Sequence, residues 1–143
     1  MKFKKVGIAL KPGIHKSEIV HKIINFLISK GMDVYVDPGT DVEIKLGEKR
    51  LVKDMDDVDF IISLGGDGTL MYVSRHLPKD IPILTVNFGG RGFLATLEPK
   101  EFFFAMESLL KDNYFVEYRT RLDVFLNNKP VNRVLNEVLV MSC

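Results

Sequence analysis

The sequence contains one cysteine and no tryptophan, and it has no long uninterrupted apolar segment. The single thiol, Cys143, has no second cysteine to pair with, which excludes an internal disulfide framework of the kind found in small secreted proteins. A membrane helix needs roughly 18 or more apolar residues in a row, and the apolar segment 6–10 is too short even for a signal peptide. These absences predict a soluble, cytoplasmic protein.

An excess of charge of either sign is also missing. Twenty lysines and arginines oppose nineteen aspartates and glutamates, which leaves a formal net charge of +1. Proteins that bind nucleic acid or anionic membranes usually carry a basic surface, so neither partner is predicted. His15, His21 and His76 lack the spacing of metal ligands, and the aspartates at residues 54–57 are interpreted as a solvated linker. No metal site built by protein side chains is therefore predicted.

Apolar patterns over the first 113 residues alternate between strand and helix. Ser17 and Gly31 stand where a helix over the intervening residues would begin and end. Such alternation is typical of an α/β fold, here a Rossmann-like parallel sheet flanked by helices. The predicted strands are residues 6–10, 32–36, 59–64 and 81–86, and two further helices are predicted to end near His76 and to cover 99–110.

The pattern changes after residue 113. Residues 115–126 and 131–141 resemble two strands, and the sequence Asn-Asn-Lys-Pro between them indicates a turn. We interpret residues 1–113 as an α/β nucleotide-binding domain and 114–143 as the incomplete beginning of an all-β domain. Arg119 and Arg121 are predicted to face solvent or a phosphate, and Phe102, Phe103 and Phe104 to pack in the core.

The most informative motif is Leu64-Gly65-Gly66-Asp67-Gly68-Thr69, which directly follows an apolar strand. Glycines leave the backbone bare, so amides can approach a diphosphate, and the following helix presents its positive N-terminal end to the same anion. A carboxylate in this position suits Mg²⁺ binding, or the orientation and deprotonation of an attacking hydroxyl. The alternative is a tight turn in which Asp67 caps the helix. The glycine spacing of dinucleotide-binding loops and the Gly-Lys-Ser/Thr of P-loops are both absent.

Three motifs together resemble the NAD kinase family. The Gly-Gly-Asp-Gly-Thr sequence is also shared with diacylglycerol and sphingosine kinases and, in similar form, with phosphofructokinases. The choice among these families rests on Asn87-Phe88-Gly89-Gly90-Arg91-Gly92-Phe93-Leu94 and on Leu135-Asn136-Glu137-Val138, which are similar in order and spacing to NAD kinase segments. The resemblance covers nearly the whole chain.

The resemblance implies transfer of the γ-phosphoryl group of ATP, or of polyphosphate, to the 2′-hydroxyl of the adenosine ribose of NAD, with Mg²⁺. It places Asp67 at this hydroxyl as the catalytic base or orienter, and Phe93 on the adenine. Asn136 and Glu137 would hydrogen-bond the dinucleotide, although they could instead face outward from a strand edge. The other implied binding residues are Gly65, Gly66, Gly68, Thr69 and Asn87. Family members assemble as dimers or tetramers and are considerably longer, so this chain is expected to be a portion of such a protein, with weak activity or none on its own.

Three positions depart from the family pattern. Tyr72 occupies a position where many members carry a basic residue, and Arg75, one helical turn further on, is the candidate to replace that residue. Thr85 occupies a position where glycine is frequent, and Arg91 one where leucine is usual. Two alternatives stay open at this point. One is a lipid kinase with the same glycine motif, and the other is a nucleotide-binding fragment without catalysis.

Overall fold

The computed structural model of the protein describes residues 3–36, 57–77, 79–90, 92–139 and 141. The departure at Arg91, the aspartates at 54 and 56 and the thiol of Cys143 lie outside these residues. In the described part, no helix is long and apolar enough to cross a membrane.

Four parallel strands form the central sheet, as the alternating pattern predicts. They are β1 (Lys5–Leu10), β2 (Asp33–Val36), β3 (Phe60–Gly65) and β4 (Ile83–Asn87), in the spatial order β2-β1-β3-β4. The register places Ile62 of β3 between Ile8 of β1 and Leu84 of β4. All six residues of β3 are buried, as is usual for a central parallel strand covered on both faces.

Helices cover both faces of this sheet. Helices α1 (Glu18–Ser29) and α3 (Phe102–Leu110) share one apolar core with Ile62, whereas α2 (Asp67–His76) packs on the other face with Ile61. Consecutive side chains of a strand point to opposite faces, so β3 contributes to both cores. The chain therefore has an α/β fold with helices on either side of a parallel sheet.

The ends of the helices agree with their sequence signals, with one difference in the capping. Ser17 occupies the position before α1, but its side chain makes no capping hydrogen bond. Gly31 follows α1 with a φ of 78°, a left-handed conformation that glycine adopts without strain. A short 3₁₀ turn (Pro99–Glu101) precedes α3, and Glu98 and Glu101 form a reciprocal capping box there.

The core prediction for the three consecutive phenylalanines is wrong at Phe104. Phe102 is fully buried and Phe103 packs edge-on against Phe26 with ring centroids 5.3 Å apart. Phe104 is 78% exposed, because three neighbouring residues of an α-helix cannot all face the same core.

A second, antiparallel sheet follows the α/β region. Strands β5 (Leu122–Leu126) and β6 (Lys129–Val134) are joined by Asn127 and Asn128, whose φ angles of 49° and 61° are the left-handed values of a tight hairpin turn. Both strands are shorter than predicted. Leu122 pairs with Val134, and beyond this pair neither segment has a described strand beside it to accept ladder hydrogen bonds.

Candidate functional site

The candidate site lies where the carboxyl ends of β1, β3 and β4 meet. Lys11 follows β1, Gly66 follows β3 and Asn87 ends β4. The chain leaves β1 toward β2 on one side and reaches β4 from β3 on the other, so the strand order reverses between β1 and β3. Open parallel sheets bind ligands in the crevice outside such a switch point.

Gly65 allows the end of β3 and the first turn of α2 to come into contact. A Cβ atom at this position would lie 2.1 Å from the Thr69 hydroxyl oxygen and 2.7 Å from the Thr69 Cβ. Gly66 is the N-cap of α2, so the helix begins immediately at the sheet edge. The positive end of the helix dipole is therefore placed in the crevice, where it favours an anion.

Asp67 lies in the first glycine-rich loop (residues 65–69) and is the first residue of α2. Its carboxylate binds the second glycine-rich loop (residues 87–95). Its Oδ2 accepts a hydrogen bond from the Phe93 amide at 2.8 Å, and its Oδ1 accepts from the Leu94 and Ala95 amides at 3.1 and 2.9 Å. The helix-cap interpretation of Asp67 is thus not what the structure shows, because Gly66 holds the cap position. The three amides, Ala95 first, hold the pKa of the Asp67 carboxyl below its ordinary value.

Asn87 shapes the loop that Asp67 holds. Its Oδ1 accepts a hydrogen bond from the Gly89 amide at 2.9 Å, and its Nδ2 donates to the Gly90 carbonyl at 2.8 Å. The Phe88 amide donates to the Gly65 carbonyl at 2.6 Å. These bonds and those of Asp67 join the two glycine-rich loops into one unit.

Phe93 lies on this unit with its side chain 90% exposed. In sequence, a phenylalanine in a glycine-rich loop fits a core position as well as a stacking surface, and the exposure of Phe93 rules out the core. An exposed aromatic ring on a loop whose amide is anchored to Asp67 offers a flat apolar face beside the carboxylate.

The comparisons with known proteins agree on one family. The family model for the ATP-NAD kinase N-terminal domain matches residues 6–114. The NAD kinase of Thermococcus sibiricus is 37% identical over 132 residues, which cover 87% of this chain and 46% of that relative. The NAD kinase of Pyrococcus furiosus is 38% identical over 130 residues, with the same two coverages.

This chain belongs to the NAD kinase family. It spans about half the length of the curated relatives it matches. Two solved structures share the fold: a yeast NADH kinase complexed with NADH (TM-score 0.74, 21% identity, 95% of this chain and 48% of that one) and an Archaeoglobus fulgidus NAD kinase in complex with ATP (TM-score 0.64, 20% identity, 88% and 45%).

The third motif lies outside the regular strands. Asn136 and Glu137 are exposed and follow β6, because the strand predicted over residues 131–141 ends at Val134. Among the described residues, no hydrogen bond connects either side chain with the two glycine-rich loops. The structure therefore brings together the first two motifs of the NAD kinase family, at Gly65–Thr69 and at 87–95.

The departures from the family pattern have different surroundings. Tyr72 packs against His76 with ring centroids 4.4 Å apart, and Arg75 is eight residues from Asp67, about 12 Å along the helix axis. Lys11, which the sequence analysis did not single out, is exposed beside the first loop, and its Cβ lies 3.0 Å from the position of a Cβ at Gly65. Its position directly after a strand of the parallel sheet was the signal that could have identified it.

Arg121 is neither solvent-facing nor available to a phosphate. Its guanidinium donates to the carbonyls of Ser74 and Leu77 at 2.9 and 3.3 Å and to the Asp80 carboxylate at 2.8 Å. The side chain is only 15% exposed, and it caps the C-terminal end of α2. Arg119, in contrast, forms a surface ion pair with Glu117.

Proposed function

We propose that this chain is the nucleotide-phosphorylating part of an NAD kinase, which transfers the γ-phosphoryl group of ATP to the 2′-hydroxyl of the adenosine ribose of NAD. The observation that carries the proposal is the contact between Asp67, at the start of α2, and the loop that bears the exposed Phe93. This contact places a carboxylate, an aromatic face and a helix N-terminus at one sheet edge. Family membership supports the proposal, as do the NADH and ATP named for the two solved structures.

In this proposal, Asp67 accepts a hydrogen bond from the ribose 2′-hydroxyl and aligns it with the γ-phosphorus. Phosphoryl transfer has a loose transition state, so alignment and charge neutralisation supply most of the rate. Gly65, Gly66, Gly68 and Thr69 line the phosphate region at the helix N-terminus. Polyphosphate, which carries the same phosphoanhydride bond as ATP, is an alternative donor.

Phe93 stacks on the adenine of NAD, and Asn87 acts by shaping the loop that presents Phe93. Asn136 and Glu137 contact the dinucleotide from the segment after β6. Because α2 packs beside β6, this segment belongs to the same side of the molecule as the helix that carries Asp67.

Mg²⁺ enters this proposal with the phosphoryl donor. Among the residues that the structure describes, no three His, Cys, Asp or Glu side chains form a metal-binding group. Mg²⁺ usually keeps several waters and binds substrate phosphates. In this proposal the phosphates of the donor and water would hold the ion, because the remaining acceptor position of Asp67 receives the ribose hydroxyl. When bound, the ion neutralises charge on the transferred phosphoryl group.

The remaining family features are part of the same proposal. Residues 114–143 begin a β-rich second domain, the complete protein forms dimers or tetramers, and it acts in the cytoplasm. The exposed apolar side chains of Phe115 and Tyr118 support further packing of this region.

The decisive test is NADP formation from NAD, ATP and Mg²⁺, compared between the wild-type chain and Asp67→Asn. We expect turnover to fall by roughly 10²–10⁴-fold, the usual contribution of a positioned acid or base. Asp59→Asn is the matched control, because it removes the same charge at the opposite end of β3 and should keep near-normal turnover at neutral pH.

NAD binding by calorimetry is measured beside turnover, since the chain spans about half of its curated relatives. Near-normal turnover of Asp67→Asn would contradict the role of Asp67. Binding without turnover would reduce the assignment to a nucleotide-binding portion of a kinase. If neither this chain nor a protein of the relatives' length binds NAD or forms NADP while folded, the proposal is wrong.

A further inference from the structure

The Asp67 carboxylate has almost used up its hydrogen-bonding capacity within the protein. Two carboxylate oxygens offer about four acceptor positions. Among the described residues, Oδ1 accepts two amides, from Leu94 and Ala95, whereas Oδ2 accepts only that of Phe93. One acceptor position is therefore left for a substrate, and it is on Oδ2.

These three bonds change what the carboxylate can do chemically. A carboxylate that accepts several backbone amides is stabilised in its ionised form, so the amides lower the Asp67 pKa and make it a weak base. The same bonds fix the side chain in one orientation, so a hydroxyl that donates to Oδ2 is held in a defined position by an ionised acceptor.

We propose that the amides of Phe93, Leu94 and Ala95 are positioning groups that hold Asp67 as a fixed, ionised acceptor, which orients the attacking ribose hydroxyl through Oδ2. The inference rests on the proposed function. The bond between O2′ and the γ-phosphorus forms while the bond from phosphorus to ADP breaks, with its electron pair left on ADP. The hydroxyl proton passes to Oδ2 as the new bond forms, when the oxygen has become acidic, and then to water.

Gly92 makes this arrangement possible. A Cβ atom at Gly92 would lie 2.3 Å from the Ala95 carbonyl oxygen, 3.0 Å from Asn87 Nδ2 and 3.1 Å from Asp67 Oδ1. The first of these distances is impossible without moving the backbone that bears the three amides. Gly92 is thus a positioning residue, although it contacts no substrate in the proposal.

Gly90 supplies a matched control in the same loop. A Cβ atom at Gly90 would meet nothing within 4 Å, and its φ does not fall in the left-handed region. Gly92→Ala and Gly90→Ala therefore add the same methyl group two residues apart, and only the first disturbs the amides bound to Asp67.

The first measurement is hydrogen exchange of the Phe93, Leu94 and Ala95 amides, followed by NMR without substrate. We expect Gly92→Ala to lose about fivefold or more of their protection and Gly90→Ala to keep it, because a typical hydrogen bond contributes about 1 kcal/mol. Retained protection in a folded Gly92→Ala would overturn the inference. If Gly92→Ala does not fold, Asn87→Ala loosens the same loop without adding bulk and replaces it.

The second measurement is turnover as a function of pH. Gly92→Ala should lower kcat by about 10–10²-fold, the effect of a small misplacement of a catalytic group. Loss of the amide bonds raises the Asp67 pKa, so its activity should begin to fall at a higher pH during acidification than that of wild type or Gly90→Ala. Altered stability alone would not move the pH profile of the folded enzyme.

The two measurements separate this inference from the function on which it rests. Lost amide protection with normal kcat and an unshifted pH profile would overturn the positioning role and leave the kinase assignment intact. If a wild-type protein of the relatives' length forms no NADP, both proposals are wrong, while the exchange data still establish whether the amides hold Asp67.

Discussion

Gly65 is the residue at which β3 and α2 approach most closely, and its role can be tested through stability alone. Gly65→Ala would place a methyl carbon 2.1 Å from the Thr69 hydroxyl oxygen, and also 3.0 Å from the Lys11 Cβ. We expect a loss of about 1–3 kcal/mol in the free energy of unfolding, typical of overpacking. Urea denaturation of wild type and Gly65→Ala measures this difference in unfolding free energy.

Gly66→Ala is the control for this prediction, because a Cβ there would lie 3.9 Å from its nearest neighbour, Asn87 Oδ1. Gly66 has the extended angles φ −128° and ψ −163°, which alanine adopts without strain. The free energy of unfolding of the Gly66→Ala protein should differ from that of wild type by less than about 1 kcal/mol. Equal losses in both variants would show that the Gly65 contact with Thr69 is not the cause.

Asp67 could be predicted from the sequence, whereas the groups that bind its carboxylate could not. The motif identified Asp67, since a carboxylate among glycines after an apolar strand indicates phosphate chemistry. It did not identify the partners of that carboxylate, because they are backbone amides 26 to 28 positions away and carry no side-chain signature. The exposure of Phe93 could not be predicted either, because a phenylalanine in a loop can lie in the core or on the surface.

At the scale of elements, Arg121 connects the segment before β5 to the end of α2. Arg121→Ala would leave the carbonyls of Ser74 and Leu77 without this donor, and Ser74 and Leu77 are both buried residues. Loss of a partner for such groups costs about 1–3 kcal/mol, so the melting temperature should fall by several degrees. Differential scanning calorimetry provides the measurement.

Arg119→Ala removes the same charge two residues earlier, from an exposed pair with Glu117. Exposed ion pairs contribute about 0–1 kcal/mol, so this control should melt close to wild type. An Arg121→Ala protein as stable as Arg119→Ala would mean that the guanidinium does not secure α2.

The strands of the parallel sheet were predictable, and those of the hairpin only in part. A buried parallel strand is apolar throughout and ends at a glycine-rich turn, so its bounds are visible in residues 60–65. The hairpin turn was predicted over residues 127–130, because asparagine and proline favour turns, and it forms at Asn127 and Asn128. The lengths of β5 and β6 could not be predicted. A strand extends only as far as its partner strand, and pairing depends on two segments at once.

Across the whole molecule, the described residues before 114 enclose two apolar cores, whereas the segment after them exposes most of its large apolar side chains. Composition alone could not reveal this contrast, since apolar residues occur at ordinary frequency along the entire chain. It agrees with a chain that spans about half the length of its curated relatives.

The response of the molecule to acid follows from its aspartates. Asp59 accepts hydrogen bonds from the Lys5 and Lys4 amides at 2.8 and 2.6 Å, which hold its pKa below the ordinary 3.8, and the amides of the second loop lower that of Asp67. Because the pKa values of both carboxyls are lower in the folded protein than in the unfolded chain, the unfolded chain binds more protons in acid. The resulting stability is present above pH 3.8 and is lost as the pH falls through the folded values.

We therefore expect the free energy of unfolding to stay nearly constant between neutrality and about pH 5 and then to decline steeply, as measured by urea denaturation at each pH. Asp59→Asn should decline less steeply, because its amide oxygen still accepts hydrogen bonds from the start of β1 but does not titrate. Identical acid slopes for the two proteins would exclude Asp59 as a source of the acid sensitivity and leave the other carboxyls whose pKa is lowered, which are Asp67 and the ion-paired Glu18, Asp57 and Asp123.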